Sequence, residues 1–389
     1  MLHKERHGEH DGNDPVQGNL EEGRRNAKGA LGSARKAHRA SLKRTGRSQK
    51  RGGLGPGIAC TSTGLRGWRP VIGAEQHWAA GKARTDETTF EEVSDMDLPD
   101  IETPTWHRFR LGDVRVTTVL DGVRIADGPH PTFGADQSAD AVAALMRENR
   151  LPERRFVNMF NPALLEIGGE LVLFDTGMGP MGRANGSGQL TRRMAEAGYR
   201  PEDVTLVVLT HLHGDHIGGL MEEDGPAFRN ARYVVGRTEL GWWTSEEALT
   251  GQRAGNAQLV LKNVMPLQDR TVLVAEGDEI LPGLIAHEAF GHSPGHMIFE
   301  IRSDERKLWM TADTANHFVA SLQRPDWHVA FDMDKAGAVA TRRRVFDRIA
   351  EEASPFIGYH MPFPAVGYVT RLGGGYRFVP ESYQLQVEG

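Results

Sequence analysis

The chain has 389 residues, of which 39% are apolar and 25% charged, with a single cysteine and a net charge of -6. No apolar run approaches the roughly 20 residues that span a bilayer, and Cys60 alone excludes both an internal disulfide scaffold and a cysteine-rich zinc site. The charge is uneven: residues 1–85 carry 17 basic against 7 acidic side chains and the remainder 29 against 45, so the body repels phosphate backbones and nucleic acid is disfavoured as a substrate.

From residue 1 to about 95 the chain is rich in Gly, Arg, Lys, Ser and His with no sustained apolar period, a composition that cannot offset ordering entropy. This segment is expected to be a disordered basic tail, with Met96 as an alternative start, and residues 96–389 to form the folded domain. No 7–15 residue apolar stretch follows its charges, so a cytoplasmic location is expected.

The first regular pattern is an alternation over Arg108 to Leu120, broken by Gly112-Asp113 as in a hairpin. A helix is predicted over 138–149, with Ser138 as N-cap and Val142, Leu145 and Met146 on its buried stripe. Residues 163–167 and 171–174 flank Gly168-Gly169 as a second hairpin, ending at Asp175-Thr-Gly177. A near-continuous apolar strand follows at 204–209, then a helix at 238–249. Short strands are predicted at 271–274, 284–288, 297–301 and 308–310, a long helix at 333–352, and a strand at 356–359. Helices on the outer faces of two stacked sheets accommodate this order.

The apolar strand at 204–209 runs into Thr-His-Leu-His-Gly-Asp-His-Ile-Gly-Gly, residues 210–219. His211, His213, Asp215 and His216 sit within six positions, and a strand end followed by a tight loop lets such side chains converge. Imidazole and carboxylate suit zinc, iron, manganese or cobalt. Gly291-His-Ser-Pro-Gly-His296, Thr311-Ala-Asp313-Thr and Gly358-Tyr-His360 place further donors after apolar strands.

These motifs together resemble the metallo-β-lactamase superfamily, over roughly Thr105 to the C-terminus. The resemblance implies an α/β fold, an αββα sandwich of two mixed sheets with outer helices, holding two divalent metal ions, zinc foremost. It implies that His211, His213 and His292 ligate one ion, that Asp215, His216 and His360 ligate the other, and that Asp313 and a hydroxide bridge them. Asp175 corresponds to a structural aspartate beside the site, and Asp215 and Asp313 to the catalytic carboxylates. The separations of 21 residues from His292 to Asp313 and 47 from Asp313 to His360 are similar to those of methyl parathion hydrolase and related lactonase-type enzymes. Trp243, 27 residues beyond His216, then corresponds to a pocket wall, while His296 is read as structural. Asn316 stands where many lactonases of this fold carry a tyrosine, which disfavours acyl-homoserine lactones. Asn316 and His317 are expected to touch substrate. Trp242, Phe290 and Phe318 are read as core or pocket wall, and His287 and His328 as hydrogen-bonding residues.

The expected function is metal-dependent hydrolysis of a small neutral ester, lactone or phosphotriester. The alternatives are a superfamily nuclease, which calls for a basic face, and a non-hydrolytic metal or redox module, which calls for an acidic residue in place of a cluster histidine and for a flavin domain. A small molecule is the expected partner, without nucleic acid or membrane, and a homodimer is left open.

Overall fold

The computed structural model describes residues 104–382, so the expected tail at 1–95 lies outside the described residues. The chain opens with the hairpin β1 (Trp106–Leu111) and β2 (Val114–Val119), reversed at Gly112, whose φ is 55°. A two-stranded ribbon, β3 (Gly122–Asp127) and β4 (Arg155–Phe160), brackets helix α1 (Ala139–Glu148). Ser138 caps that helix by accepting from the Ala141 N–H, and Val142, Leu145 and Met146 are buried as predicted.

β5 (Ala163–Ile167) and β6 (Glu170–Phe174) form the second predicted hairpin. Helix α2 (Leu190–Glu196), strand β7 (Leu206–Leu209) and the one-turn helix α3 (Gly214–Ile217) follow. A short ribbon, β8 (Met221–Glu222) and β9 (Gly225–Pro226), leads to β10 (Arg232–Gly236). The single helix predicted at 238–249 is instead two, α4 (Arg237–Trp243) and α5 (Glu246–Thr250), because Ser245 starts a new helix by capping the Ala248 N–H. Helix α6 (Ala254–Asn263) then packs beside them before β11 (Thr271–Val274).

The second half supplies β12 (Glu279–Leu281), β13 (Leu284–Glu288), β14 (Met297–Ser303) and β15 (Arg306–Ala312). Helix α7 (Ala320–Gln323), the long α8 (Lys335–Glu352) and strands β16 (Phe356–Gly358), β17 (Val366–Leu372) and β18 (Gly375–Pro380) complete it. Asp334 caps α8 through the Gly337 N–H.

Two seven-stranded sheets result, ordered β1-β2-β5-β6-β7-β10-β11 and β12-β13-β14-β15-β16-β17-β18. Both are mixed: β6, β7, β10 and β11 run parallel, as do β15 and β16, and the other pairs in these two sheets are antiparallel. The sheets stack through Val116, Leu165, Phe174, Val208 and Val234 on one side and Phe299, Ile301, Leu308 and Met310 on the other, with the Phe174 and Phe299 rings 5.3 Å apart. Alternate residues of the first sheet, including Leu164, Leu173, Val207 and Leu209, face outward onto Leu190, Met194, Ala257 and Val260 of the helices. Strand β7 is therefore buried on both faces, which is why its sequence reads as an unbroken apolar run rather than an alternation. Helix α8 covers the second sheet through Val345, Phe346 and Ile349. This is the expected αββα sandwich. No helix among the described residues is long and apolar enough to cross a membrane.

Candidate metal centre

Four strands deliver polar residues at their carboxyl ends, where a parallel arrangement gathers them at one edge of the sandwich. Asp175 follows β6, His211 follows β7, Asp313 follows β15 and His360 follows β16. The loop after β7 and the helix α3 add His213, Asp215 and His216, and the β13–β14 loop adds His292. The seven donors named from the sequence thus meet in one place.

Their inner atoms form two groups. His211 Nε2 lies 3.0 Å from His213 Nδ1, which lies 2.9 Å from His292 Nε2. A tetrahedral ion with bonds of 2.0–2.1 Å sets its donors about 3.3 Å apart, so this spacing is close to a ligand set. In the other group His216 Nε2 is 3.7 Å and His360 Nε2 3.5 Å from Asp215 Oδ2. Asp313 stands between them: Oδ2 is 3.2 Å from His292 Nε2 and 3.1 Å from His360 Nε2, and Oδ1 is 3.3 Å from His216 Nε2.

The outer ring nitrogens explain why a cation fits here. His216 Nδ1–H donates to Asp175 Oδ2 at 2.9 Å, His292 Nδ1–H to Asp332 Oδ1 at 3.0 Å, and His360 Nδ1–H to the Met159 carbonyl at 2.8 Å. Thr210 Oγ1 spends its proton on Asp175 Oδ2, so His211 Nδ1–H donates to that hydroxyl at 3.2 Å. Each such bond fixes the tautomer and turns a bare Nε2 lone pair inward. His216 Nε2 and Asp313 Oδ1 are buried with no hydrogen-bond partner, a cost that a metal ion at this point removes.

The electrostatics agree. Burial and the neighbouring histidines drive His211 and His213 well below the usual histidine pKa. Burial also opposes charge on His292, yet Asp313 and Asp332 outweigh it and push that group up to about 9. Asp313, Asp175 and Asp215 likewise hold His216 well above its ordinary value against burial. Against its own burial, Asp313 is drawn well below the ordinary carboxylate range by His360, His216 and His292. A cluster this short of positive charge takes up either protons or metal, and ligand binding by metal displaces the protons.

Several supporting residues carried no recognisable signal in the sequence. Glu239, buried in α4, accepts from Leu212 N and Trp243 Nε1 on one oxygen and from Ser293 Oγ and Gly295 N on the other, all within 2.7–2.9 Å. It fastens the His211–His213 loop to the His292 loop. Gly295 allows that approach, since a Cβ there would meet Glu239 N at 2.1 Å. Asp332 joins His292 to the fully buried Arg342, whose Nη2 donates to it at 2.8 Å. Asp121 accepts from Met178, Gly188 and Leu190 N–H groups and so shapes the loop after Asp175.

Trp243 is not a pocket wall. It is fully buried, its indole N–H donates to Glu239, and its ring meets the back of His213 at 5.7 Å, so it packs behind the cluster. The cleft over the donors, about 260 Å³, is lined instead by Phe160, Met178, Met181, Phe331, Arg124 and Arg253 together with the inner donors. Asn316 and His317 do not face that cleft. With Phe318 they line a second cavity of about 460 Å³, and His360 lines both. Asn316 Nδ2 also donates to Asp313 Oδ2 at 2.9 Å, while His317 Nδ1 accepts from Val319 and Ala320 N–H groups at the start of α7. Trp242 and Phe290 pack on the core clusters, and His287 binds Glu276 and Glu300.

His296 stays out of the cluster because the backbone occupies both ring nitrogens. Nδ1–H donates to the Ala289 carbonyl at 3.0 Å and Nε2 accepts from Asp313 N at 3.2 Å. His296→Ala should therefore lower stability by about 1–3 kcal/mol while retaining metal. Thermal unfolding with elemental analysis checks this, and metal loss as severe as in His292→Ala would refute it.

Comparison with known proteins follows the same lines. A profile of the metallo-beta-lactamase superfamily matches residues 160–353, which hold every donor except His360. An N-acyl homoserine lactonase from a Bacillus sp. is 30% identical over 192 residues, 44% of this chain and 70% of the relative. One from Bacillus cereus is 27% identical over a stretch of the same length, with the same coverage. Among solved structures, AidC, a dizinc quorum-quenching lactonase, superposes with a TM-score of 0.66 at 23% identity, covering 72% of this chain and 98% of AidC, and so shares the fold. The chain belongs to the metallo-beta-lactamase superfamily and is a metal-dependent hydrolase of that group.

Proposed function

We propose that this hydrolase is dinuclear and cleaves an uncharged ester or lactone bond, with phosphotriesters as slower substrates, while an apolar part of the substrate lodges beyond His360. The observation that carries this is the convergence of seven inward donors beside an apolar cavity that shares His360 with their cleft. A pair of divalent ions, zinc foremost, would supply a hydroxide at neutral pH and polarise the oxygen of the electrophile.

The chain's own residues do the rest. His211, His213 and His292 would hold one ion and Asp215, His216 and His360 the other, with Asp313 between. Asp313, whose carboxylate stands between the two donor groups, is placed to orient the attacking water and to pass its proton to the leaving oxygen. Asp215, partly open to the cleft, is the second carboxylate at the reacting face. No serine or cysteine nucleophile is needed, and Cys60 lies outside the described residues.

The second cavity replaces Trp243 as the source of specificity. Ile125, Met146, Leu151, Phe156, Met159 and Phe318 make it apolar, and burying an aryl or short alkyl group there contributes about 1.5–3 kcal/mol. Resemblance to N-acyl homoserine lactonases supports a lactone. Asn316 in place of a tyrosine favours aryl esters and aromatic lactones over long-chain homoserine lactones.

A panel of aryl esters, aromatic lactones, homoserine lactones and aryl phosphotriesters, run on zinc-reconstituted protein, tests the assignment. Turnover confined to phosphodiesters or nucleic acid would refute it. Within that panel, Ile125→Trp, which fills the apolar cavity from the half-buried edge of β3, should raise KM for aryl esters about tenfold and leave acetate esters of small alcohols much less affected. Equal effects on both would show that the cavity does not receive substrate.

A further inference from the structure

The cleft over the donor cluster has a cationic lip that ester hydrolysis does not require. Arg124 of β3 and Arg253 at the start of α6 both line it. Arg124 stands directly across the ribbon from Asn158 of β4, and both residues line the cleft. Among the described residues Arg124 has no carboxylate, carbonyl or aromatic partner. Arg253 gives one guanidinium N–H to the Phe331 carbonyl at a long 3.4 Å and has no acidic partner among the described residues.

A second feature points the same way. Arg253 is the N-cap residue of the ten-residue helix α6, which no side chain caps, and Asn256 of its first turn lines the cleft. The positive end of a helix favours a negative charge. The acidic side chains lining the cleft are Asp215 and Asp313, both assigned to metal. With them committed, the two guanidinium groups line the cleft beside the first turn of α6 with no lining carboxylate left to neutralise them.

Guanidinium forks suit planar oxyanions. We infer that the substrate of this hydrolase carries a carboxylate beside the bond to be cleaved, held at the cleft mouth by Arg124 and Arg253. The net acidity of the whole body, which argues against polyanions, does not describe this local lining. The inference rests on the hydrolase assignment above, and narrows its substrate class to monoanionic esters or lactones.

The test pairs two substrates that differ only in charge: a phenyl ester bearing a carboxylate on the acyl side and the same ester as its carboxamide. With the full-length zinc-loaded protein, KM should be about tenfold or more lower for the carboxylate, and the advantage should shrink with added salt. Arg124→Gln with Arg253→Gln should remove that selectivity, and the double Arg→Lys variant should restore part of it. Selectivity for the neutral ester, or an equal rise in KM for both substrates in the glutamine variant, would overturn the inference. Calorimetric binding of benzoate to the metal-free protein decides the matter independently of turnover. Binding that is lost in the glutamine variant supports the oxyanion site even if no ester is cleaved, and no difference between wild type and variant refutes it.

Discussion

Asp313→Asn should reduce turnover by about a thousandfold or more and lower the metal content of the purified protein. The substitution keeps the shape of the side chain and the backbone tie from His296 to Asp313 N. It removes the one negative charge set between the two donor groups, 3.1–3.3 Å from the Nε2 atoms of His216, His292 and His360. An amide also brings an N–H donor to a position surrounded by inward lone pairs or by a cation, and it cannot carry the proton assigned to the carboxylate. The folded state should survive, because the sheets pack through residues distant from this loop. Kinetics on the zinc-reconstituted variant, with elemental analysis and thermal unfolding, separate the outcomes. Retained turnover with retained metal would remove Asp313 from its bridging position.

Asp332→Ala should be the most damaging single change to stability near the site, costing about 3–5 kcal/mol. Asp332 and Arg342 form an ion pair with both side chains fully buried. The rest of the Arg342 fork donates to the carbonyls of Thr314, Pro325 and Trp327. Removing the carboxylate leaves a guanidinium charge buried with only dipoles around it. The same change frees His292 Nδ1 from its acceptor, and loss of such an orienting partner typically weakens metal affinity 10–100-fold. The two effects separate in one experiment: chemical unfolding of the metal-free protein reports the buried charge, and zinc competition at moderate temperature reports the ligand. Glu239→Ala, by contrast, deletes a carboxylate that binds four neutral donors, so its cost falls on loop order rather than on a stranded charge.

The donors were legible in the sequence because three of them follow strands whose apolar runs mark their own ends, and the others cluster in short motifs beside or between strands. Leu206 to Leu209 leads into His211, Leu308 to Met310 into Asp313, and Phe356 to Gly358 into His360. Chain order in a sandwich of this kind converts such endings into one edge. The residues that hold the donors were not legible, since Glu239, Asp332 and Asp121 lie on helices and loops far from their partners in sequence and carry no local pattern. Trp243 misled for a related reason. Its distance from His216 fits a pocket wall, but whether an indole at the end of a helix points into a cleft or behind it depends on a tertiary partner, here Glu239. The ribbon of β3 and β4 went unpredicted because its faces are mixed. On β4, Phe156 and Phe160 share the parity of Asn158, and Arg155 that of Val157 and Met159, so that strand shows no simple apolar-polar alternation.

Elemental analysis of the full-length protein, purified without chelator after growth in metal-replete medium, tests the central assignment most directly. Seven donors in two groups sharing one carboxylate predict close to two divalent ions per chain, falling in His211→Ala and Asp313→Asn but not in His296→Ala. Absence of bound metal in the wild-type protein, or a metal content indifferent to His211 and Asp313, would contradict it.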